Sequence, residues 1–319
     1  MNRWHELLTA TLSLAMLTAV NAQETLGEEV KPDAPVLGTP EELHKGMEFT
    51  EGPTPDAKGN VYFTDIPAEK IYIHRPDGTR EIFMQGSGRC NGLMFDKEGR
   101  LWACQGGEGR VVRIDIETAD VTPVADDIDG GPFLSTNDLV LDAHGGAYFT
   151  DPAYWRHPKS KVDEAVYYVD ADGDITRIAS GLKRPNGILL SPDGTTLYIL
   201  PTGERRLIAH DVKAPGKIGP GRDLAELRSG GDGLTCDTEG NLYVTQPRVR
   251  MIEVFAPDGT SLTSVKLPGS PSNVCFGGPG LDHLYVTAGA KLFRIPVNKK
   301  GQLPCMVGPG TVNSDDGSG

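Results

Sequence analysis

Hydrophobic and polar residues alternate in short runs along most of the chain, and the runs end in turns built from Gly, Asp and Pro. A period of two predicts β-strands, and no stretch sustains the 3.6-residue repeat of an amphipathic helix. One phrase recurs: an acidic or Pro-Asp turn, a Gly, then a strand centred on an aromatic residue. Its copies are DAKGNVYFTD, DKEGRLWAC, DAHGGAYFTD, SPDGTTLYIL, DTEGNLYVTQ and GPGLDHLYVTA. The central aromatics Tyr62, Trp102, Tyr148, Tyr198, Tyr243 and Tyr285 are 40, 46, 50, 45 and 42 residues apart. Strand-bearing units of that length are propeller blades, each of which buries its faces only by stacking on its neighbours. Further alternating runs, such as KIYIHRPDG and REIFMQG, supply the remaining strands of each unit. The chain is therefore predicted to be all-β, a six-bladed β-propeller of four-stranded antiparallel blades over residues 36–303. The sixth blade runs out at LFRIPV, so residues 36–47 are expected to supply its outer strand and hide two sheet edges.

A second register runs through the same repeats. Glu51, Asn91, Asn137 and Asp232 each stand 11 residues before a central aromatic, and Asn186 and Asn273 stand 12 before theirs, one extra turn residue intervening. Each of these positions opens the innermost strand of its blade, so rotation about the propeller axis brings all six side chains to one level of the channel. Asn-Gly and Asp-Gly pairs also mark ordinary turns, but Glu51 is a poor turn former in the same slot. A ring of oxygen donors with two carboxylates is what a hard divalent cation requires, calcium first among them. No Cys or His enters the ring, which disfavours a conventional zinc site, although Zn, Mn and Mg stay open as alternatives.

Composition narrows the partners. At 38% hydrophobic and 24% charged residues the chain can pack a core, and its 40 Gly and 24 Pro fit frequent turns. The net charge of −13, with no basic run, excludes a nucleic-acid partner. An apolar stretch over residues 7–20 follows Arg3 and leads to Ala22; it is too short and too interrupted for a membrane span and reads as a signal peptide of residues 1–22. The expectation is a secreted or periplasmic protein with no membrane insertion after cleavage, a linker over residues 23–35 and a disordered tail over residues 304–319. Five cysteines, Cys90, Cys104, Cys236, Cys275 and Cys305, show no CxxC spacing and are expected mostly as buried free thiols.

The phrases Glu51-Gly52-Pro53, CNGLMFDKEGRLWAC, STNDLVLDAHGGAYFTDPAYW, RPNGILLSPDGTTLYI, DGLTCDTEGNLYVT and SNVCFGGPGLDHLYVT together resemble the family of gluconolactonase, regucalcin and luciferin-regenerating enzyme. The resemblance implies a divalent metal, usually calcium, held by Glu51, Asn186 and Asp232, with Asn137 as a metal or substrate ligand. Two departures bear on the substrate. Ser135 stands where regucalcin-like members carry an Arg that grips sugar hydroxyls, and Cys104-Gln105-Gly106-Gly107 replaces a Cys-Glu-His-Gly phrase common among gluconolactonase-like chains.

No GxSxG elbow, phosphate loop or His-centred triad competes with that reading. The expected function is a metal-dependent hydrolase that opens a lactone ring, of a sugar or a related small ester. The catalytic residue is expected to be Asp232, the metal ligands Glu51, Asn186, Asp232 and Asn137, and the substrate-binding residues Asn137, Asn91, Gln105, Tyr154 and Asn273. Calcium-dependent phosphoester hydrolysis and a ligand-binding propeller with a structural ion are the alternatives. The long aromatic loop after the third repeat, carrying Tyr154, Trp155, Arg156 and His157, is expected to cover the channel mouth.

Overall fold

The computed structural model describes residues 34–303. The expected signal peptide, nearly all of the linker, the tail and Cys305 lie outside them. The first strand, β1 (Glu41–Lys45), precedes blade one, which comprises β2 (Thr50–Pro55), β3 (Val61–Asp65), β4 (Lys70–His74) and β5 (Arg80–Gln85). Blade two holds β6 (Cys90–Phe95), β7 (Leu101–Gln105), β8 (Arg110–Ile114) and β9 (Val121–Ala125). Blade three holds β10 (Leu139–Leu141), β11 (Ala147–Asp151), β12 (Ala165–Val169) and β13 (Ile175–Ser180). Blade four holds β14 (Pro185–Leu190), β15 (Thr196–Pro201), β16 (Arg206–Ala214), the two-residue β17 (Lys217–Ile218) and β18 (Arg222–Glu226). Blade five holds β19 (Leu234–Cys236), β20 (Leu242–Gln246), β21 (Met251–Phe255) and β22 (Ser261–Lys266). Blade six holds β23 (Pro271–Gly277), β24 (His283–Ala288) and β25 (Lys291–Pro296).

Every blade is an antiparallel sheet ordered from the inside outwards along the chain, and blade six is completed by β1 pairing with β25. The ring therefore closes as expected, and the pairing covers the outer edge that β25 would otherwise expose. Blade four departs from the expectation by a fifth, short strand, since β16 overruns the blade and hooks back through β17. Among the described residues the only helix is a 3-10 turn at Pro247–Val249, and none is long and apolar enough to cross a membrane.

The turns follow from local chemistry. At Asp56, Asp96, Asp142 and Asp237 a carboxylate oxygen accepts backbone N–H groups two and four residues on, and a glycine with positive φ completes each turn. The recurrent aromatics pack between blades. Tyr62 meets Phe95 of blade two at a ring separation of 5.0 Å, and Tyr243 meets Phe276 of blade six at 5.1 Å. The core is thus a set of inter-blade layers, with Trp102, Phe133, Phe149 and Tyr167 buried in the layer between blades two and three. Cys90, Cys104, Cys236 and Cys275 are buried free thiols within it.

Candidate active site

The six ring residues are turned inwards by a shared irregularity. Pairing slips at Glu51/Thr54 in β2, Cys90/Leu93 in β6, Pro185/Ile188 in β14 and Pro271/Asn273 in β23. In blades three and five the inner strand begins only after Asn137 and Asp232. Such a bulge frees a residue from the ladder and redirects its side chain. Glycine follows the ring residue in four blades because the next blade comes too close for a Cβ. One built on Gly52 would lie 2.0 Å from the Asn91 carbonyl oxygen, one on Gly187 2.3 Å from that of Asp232, and one on Gly233 2.0 Å from Asn273 Oδ1. The same contacts tie the ring together: Gly92 N donates to Asn137 O at 2.8 Å and Gly187 N to Asp232 O at 2.9 Å. Threonines of the second strands add to this belt, Thr64 Oγ1 donating to Asn91 O at 3.1 Å and Thr150 Oγ1 to Asn186 O at 2.8 Å.

Above the ring opens a cavity of about 440 Å³. Its floor carries Glu51, Asn91, Asn137, Asn186 and Asp232; Ser135, Thr136, Gly106 and Thr202 stand at the side, and Phe49, Ile66, Arg89, Tyr154, Trp155, Pro247 and Arg248 form the wall and rim. Glu51 is buried and Asp232 partly buried. Burial and the charge of Asp232 push the Glu51 carboxyl well above its ordinary range. Burial likewise raises Asp232 to about 7, against the stabilising hydrogen bond from Asn186. No described lysine or arginine forms an ion pair with either carboxylate. Asn186 Nδ2 donates to Asp232 Oδ1 at 2.7 Å and to the Tyr154 hydroxyl at 2.9 Å, which leaves the amide oxygen without a hydrogen bond among the described residues. A buried and a partly buried carboxylate with no ion pair among the described residues, beside the free amide oxygen of Asn186, fit a hard divalent ion that neutralises both.

Five of the expected site residues, Glu51, Asn91, Asn137, Asn186 and Asp232, converge with Tyr154 on this cavity. Two do not. Asn273, the ring residue of blade six, points away from the cavity, lining the inner channel with Asp138 and hydrogen-bonding to the carboxyls of both Glu51 and Asp138. Gln105 is buried inside blade two, where Nε2 donates to Ser87 O at 2.9 Å and Oε1 accepts from Arg110 Nε at 2.6 Å. It ends a second strand, as do Asp65, Asp151 and Gln246, which grip the backbone N–H groups of Phe49, Ser135 and Ser229 just ahead of ring residues. These residues position the ring rather than touch a ligand. The aromatic loop is likewise divided: Tyr154 and Trp155 face the cavity, while Arg156 donates to Val162 O and His157 N donates to Leu134 O, pinning the loop from behind. Phe49 and Arg89 stand two residues before the ring residues Glu51 and Asn91, the slot that Ser135 holds before Asn137, and Ile66 follows the end of β3.

The family model described as SMP-30/Gluconolactonase/LRE-like region matches residues 49–290. The chain is 31% identical over 301 residues to a gluconolactonase of Zymomonas mobilis, a match covering 81% of this chain and 82% of that protein. It is 28% identical over 256 residues to the lactonase drp35 of Staphylococcus saprophyticus, covering 75% and 78% respectively. A solved gluconolactonase of Xanthomonas campestris superposes with a TM-score of 0.76 at 25% identity, covering 84% of this chain and 96% of that one. With the matched region spanning all the ring positions from Glu51 to Asn273, the chain belongs to the SMP-30/gluconolactonase/LRE-like family.

Proposed function

We propose that this protein is a metal-dependent hydrolase that opens the ring of a small lactone, with one divalent cation of the calcium type at the floor of the cavity. The observation that carries the reading is the pair of mutually repelling carboxylates, buried Glu51 and partly buried Asp232, at the floor of an open cavity of a size suited to a small molecule. Glu51, Asn186 and Asp232 would hold the cation, with Asn137 as a fourth oxygen donor. When bound, the cation supplies a Lewis acid for the lactone carbonyl. Asp232 acts as general base: its carboxylate takes a proton from the attacking water. Asn91 and Asn137 present amide groups to the substrate's polar atoms, and Tyr154 holds Asn186 in place through its hydroxyl. Names of the relatives support the lactone as the substrate class, gluconolactonase and lactonase among them.

A panel of sugar, aliphatic and aromatic lactones, assayed with calcium, zinc or manganese and with chelator, tests the reading. Ring opening of at least one lactone, lost on chelation and restored by a divalent ion, is the expected result. Hydrolysis that survives complete chelation removes the metal from the account, and no hydrolysis with any ion removes the lactone.

A further inference from the structure

Four charged side chains line the cavity: Glu51 and Asp232 at the floor, Arg89 and Arg248 at the rim. A divalent cation offsets the two carboxylates, and what then remains is two guanidinium groups facing the entrance of a protein whose net charge is −13. The acidic turns at Asp56, Asp96, Asp142 and Asp237 close the inner hairpins at the opposite ends of the strands, so they do not cancel this charge.

Both arginines are mounted for recognition. Arg248 projects from the 3-10 turn Pro247–Val249, whose backbone is fixed by Ser270 Oγ donating to Pro247 O and Lys266 Nζ donating to Val249 O, each at 2.9 Å. Its own side chain is exposed and, among the described residues, has no hydrogen bond or ion pair. Arg89 lies over the Trp155 ring at 5.5 Å from its centroid and makes only a long 3.7 Å contact with Glu69. A guanidinium placed over an indole by cation–π attraction still has N–H donors to offer a ligand. Sugar hydroxyls are satisfied by the amides and carboxylates of the floor; planar guanidinium donors match an oxyanion. Resting on the lactonase reading of this cavity, we infer that the substrate carries an anionic group, carboxylate or phosphate, remote from the reacting ring, and that Arg248 and Arg89 select for it.

Matched lactones test this: D-gluconolactone as the neutral member, D-glucarolactone carrying a carboxylate and a phosphogluconolactone carrying a phosphate. The wild-type protein is expected to prefer one charged lactone by about tenfold or more in kcat/KM, the size of effect a charge-assisted contact gives, and the two charged arms separate carboxylate from phosphate. Arg248→Gln and Arg89→Gln should each cut the charged-to-neutral ratio severalfold, chiefly through KM, and raising the salt from about 50 to about 500 mM should cut it in the wild type. A wild-type protein that prefers the neutral lactone, or a ratio unmoved in both variants, overturns the inference. Tryptophan fluorescence provides a readout without turnover: D-glucarate should bind more tightly than D-gluconate, and Arg248→Gln should remove the difference. If no lactone of any kind is opened the lactonase reading falls, while that binding difference still decides the anion site; equal binding of the two acids rejects it.

Discussion

Among the described residues, Glu51 and the partly buried Asp232 face the cavity with no ion pair, a state they share with the buried Asp138 beneath them. Asp151 is buried as well, but its two oxygens accept the backbone N–H groups of Leu134 and Ser135 at 2.9 and 2.7 Å. Asp232 has one amide donor, and Glu51 has the N–H of Gly52 and the amide of Asn273. Under the proposed function, protons and a cation compete for the same pair. Because their pKa values are raised in the folded protein, Asp232 to about 7, cation binding should release protons and weaken as pH falls below neutrality. Titration calorimetry in buffers of different ionisation enthalpy should show proton release that grows from pH 8 to pH 6; binding without proton release contradicts the assignment. Tyr154→Phe removes the hydroxyl that accepts from Asn186 Nδ2. One hydrogen bond contributes about 1 kcal/mol, so turnover should fall severalfold with thermal stability nearly unchanged, a split that steady-state kinetics beside a melting curve will read.

At the scale of the strand, the site depends on the bulge and on the glycine that follows the ring residue in four of the six blades. Gly233→Ala would press a Cβ to within 2.0 Å of Asn273 Oδ1 and 2.8 Å of its Cα, so the contact cannot be relieved by a side-chain rotation alone. A loss of roughly 2–4 kcal/mol is expected from overpacking of this kind, measured by chemical denaturation; a neutral substitution would mean the blades have room to part. These elements also show what a sequence can and cannot carry. The aromatic repeat and the 11- or 12-residue offset to the ring were legible because every blade obeys one rotation, so a spacing becomes a position in space. Gln105 lies off the cavity because adjacent residues along a strand point to opposite faces: Gly106 borders the cavity and Gln105 turns into the blade. The recurring Thr two residues after Tyr62, Tyr148, Tyr243 and Tyr285 was present as a signal, and only the packing of neighbouring blades shows that it binds the ring together. Phe49 and Arg89 each stand two residues before a ring residue, the slot that Ser135 holds before Asn137, so their register was present in the sequence, while the contact of Arg89 with Trp155 appears only when blades two and three are packed together.

The whole molecule is held shut where β1 joins β25, and His44 of β1 contacts His74 of β4 there, Nε2 to Nδ1, at 2.9 Å. Burial, with the neighbouring charges of His44 and Arg294, lowers His74 to about 4. The folded protein thus binds fewer protons than the unfolded chain between the ordinary histidine pKa near 6.5 and 4. This contribution to stability is fully present above pH 6.5 and is lost as pH falls towards 4, so the melting temperature of the wild type should drop across that window more steeply than that of His74→Asn; parallel curves would free the closure of any role for the pair. A closed ring holds its centre rigid, and the account's central claim concerns that centre: Asp232 is both ligand and base. The most direct measurement is the kcat of Asp232→Asn on the best lactone at saturating cation, alongside its cation affinity. An amide still ligates but accepts no proton, so kcat should fall about 100-fold or more while cation binding weakens modestly and the fold persists. Full recovery of kcat on saturation with the cation would contradict the catalytic assignment and leave Asp232 a metal ligand alone.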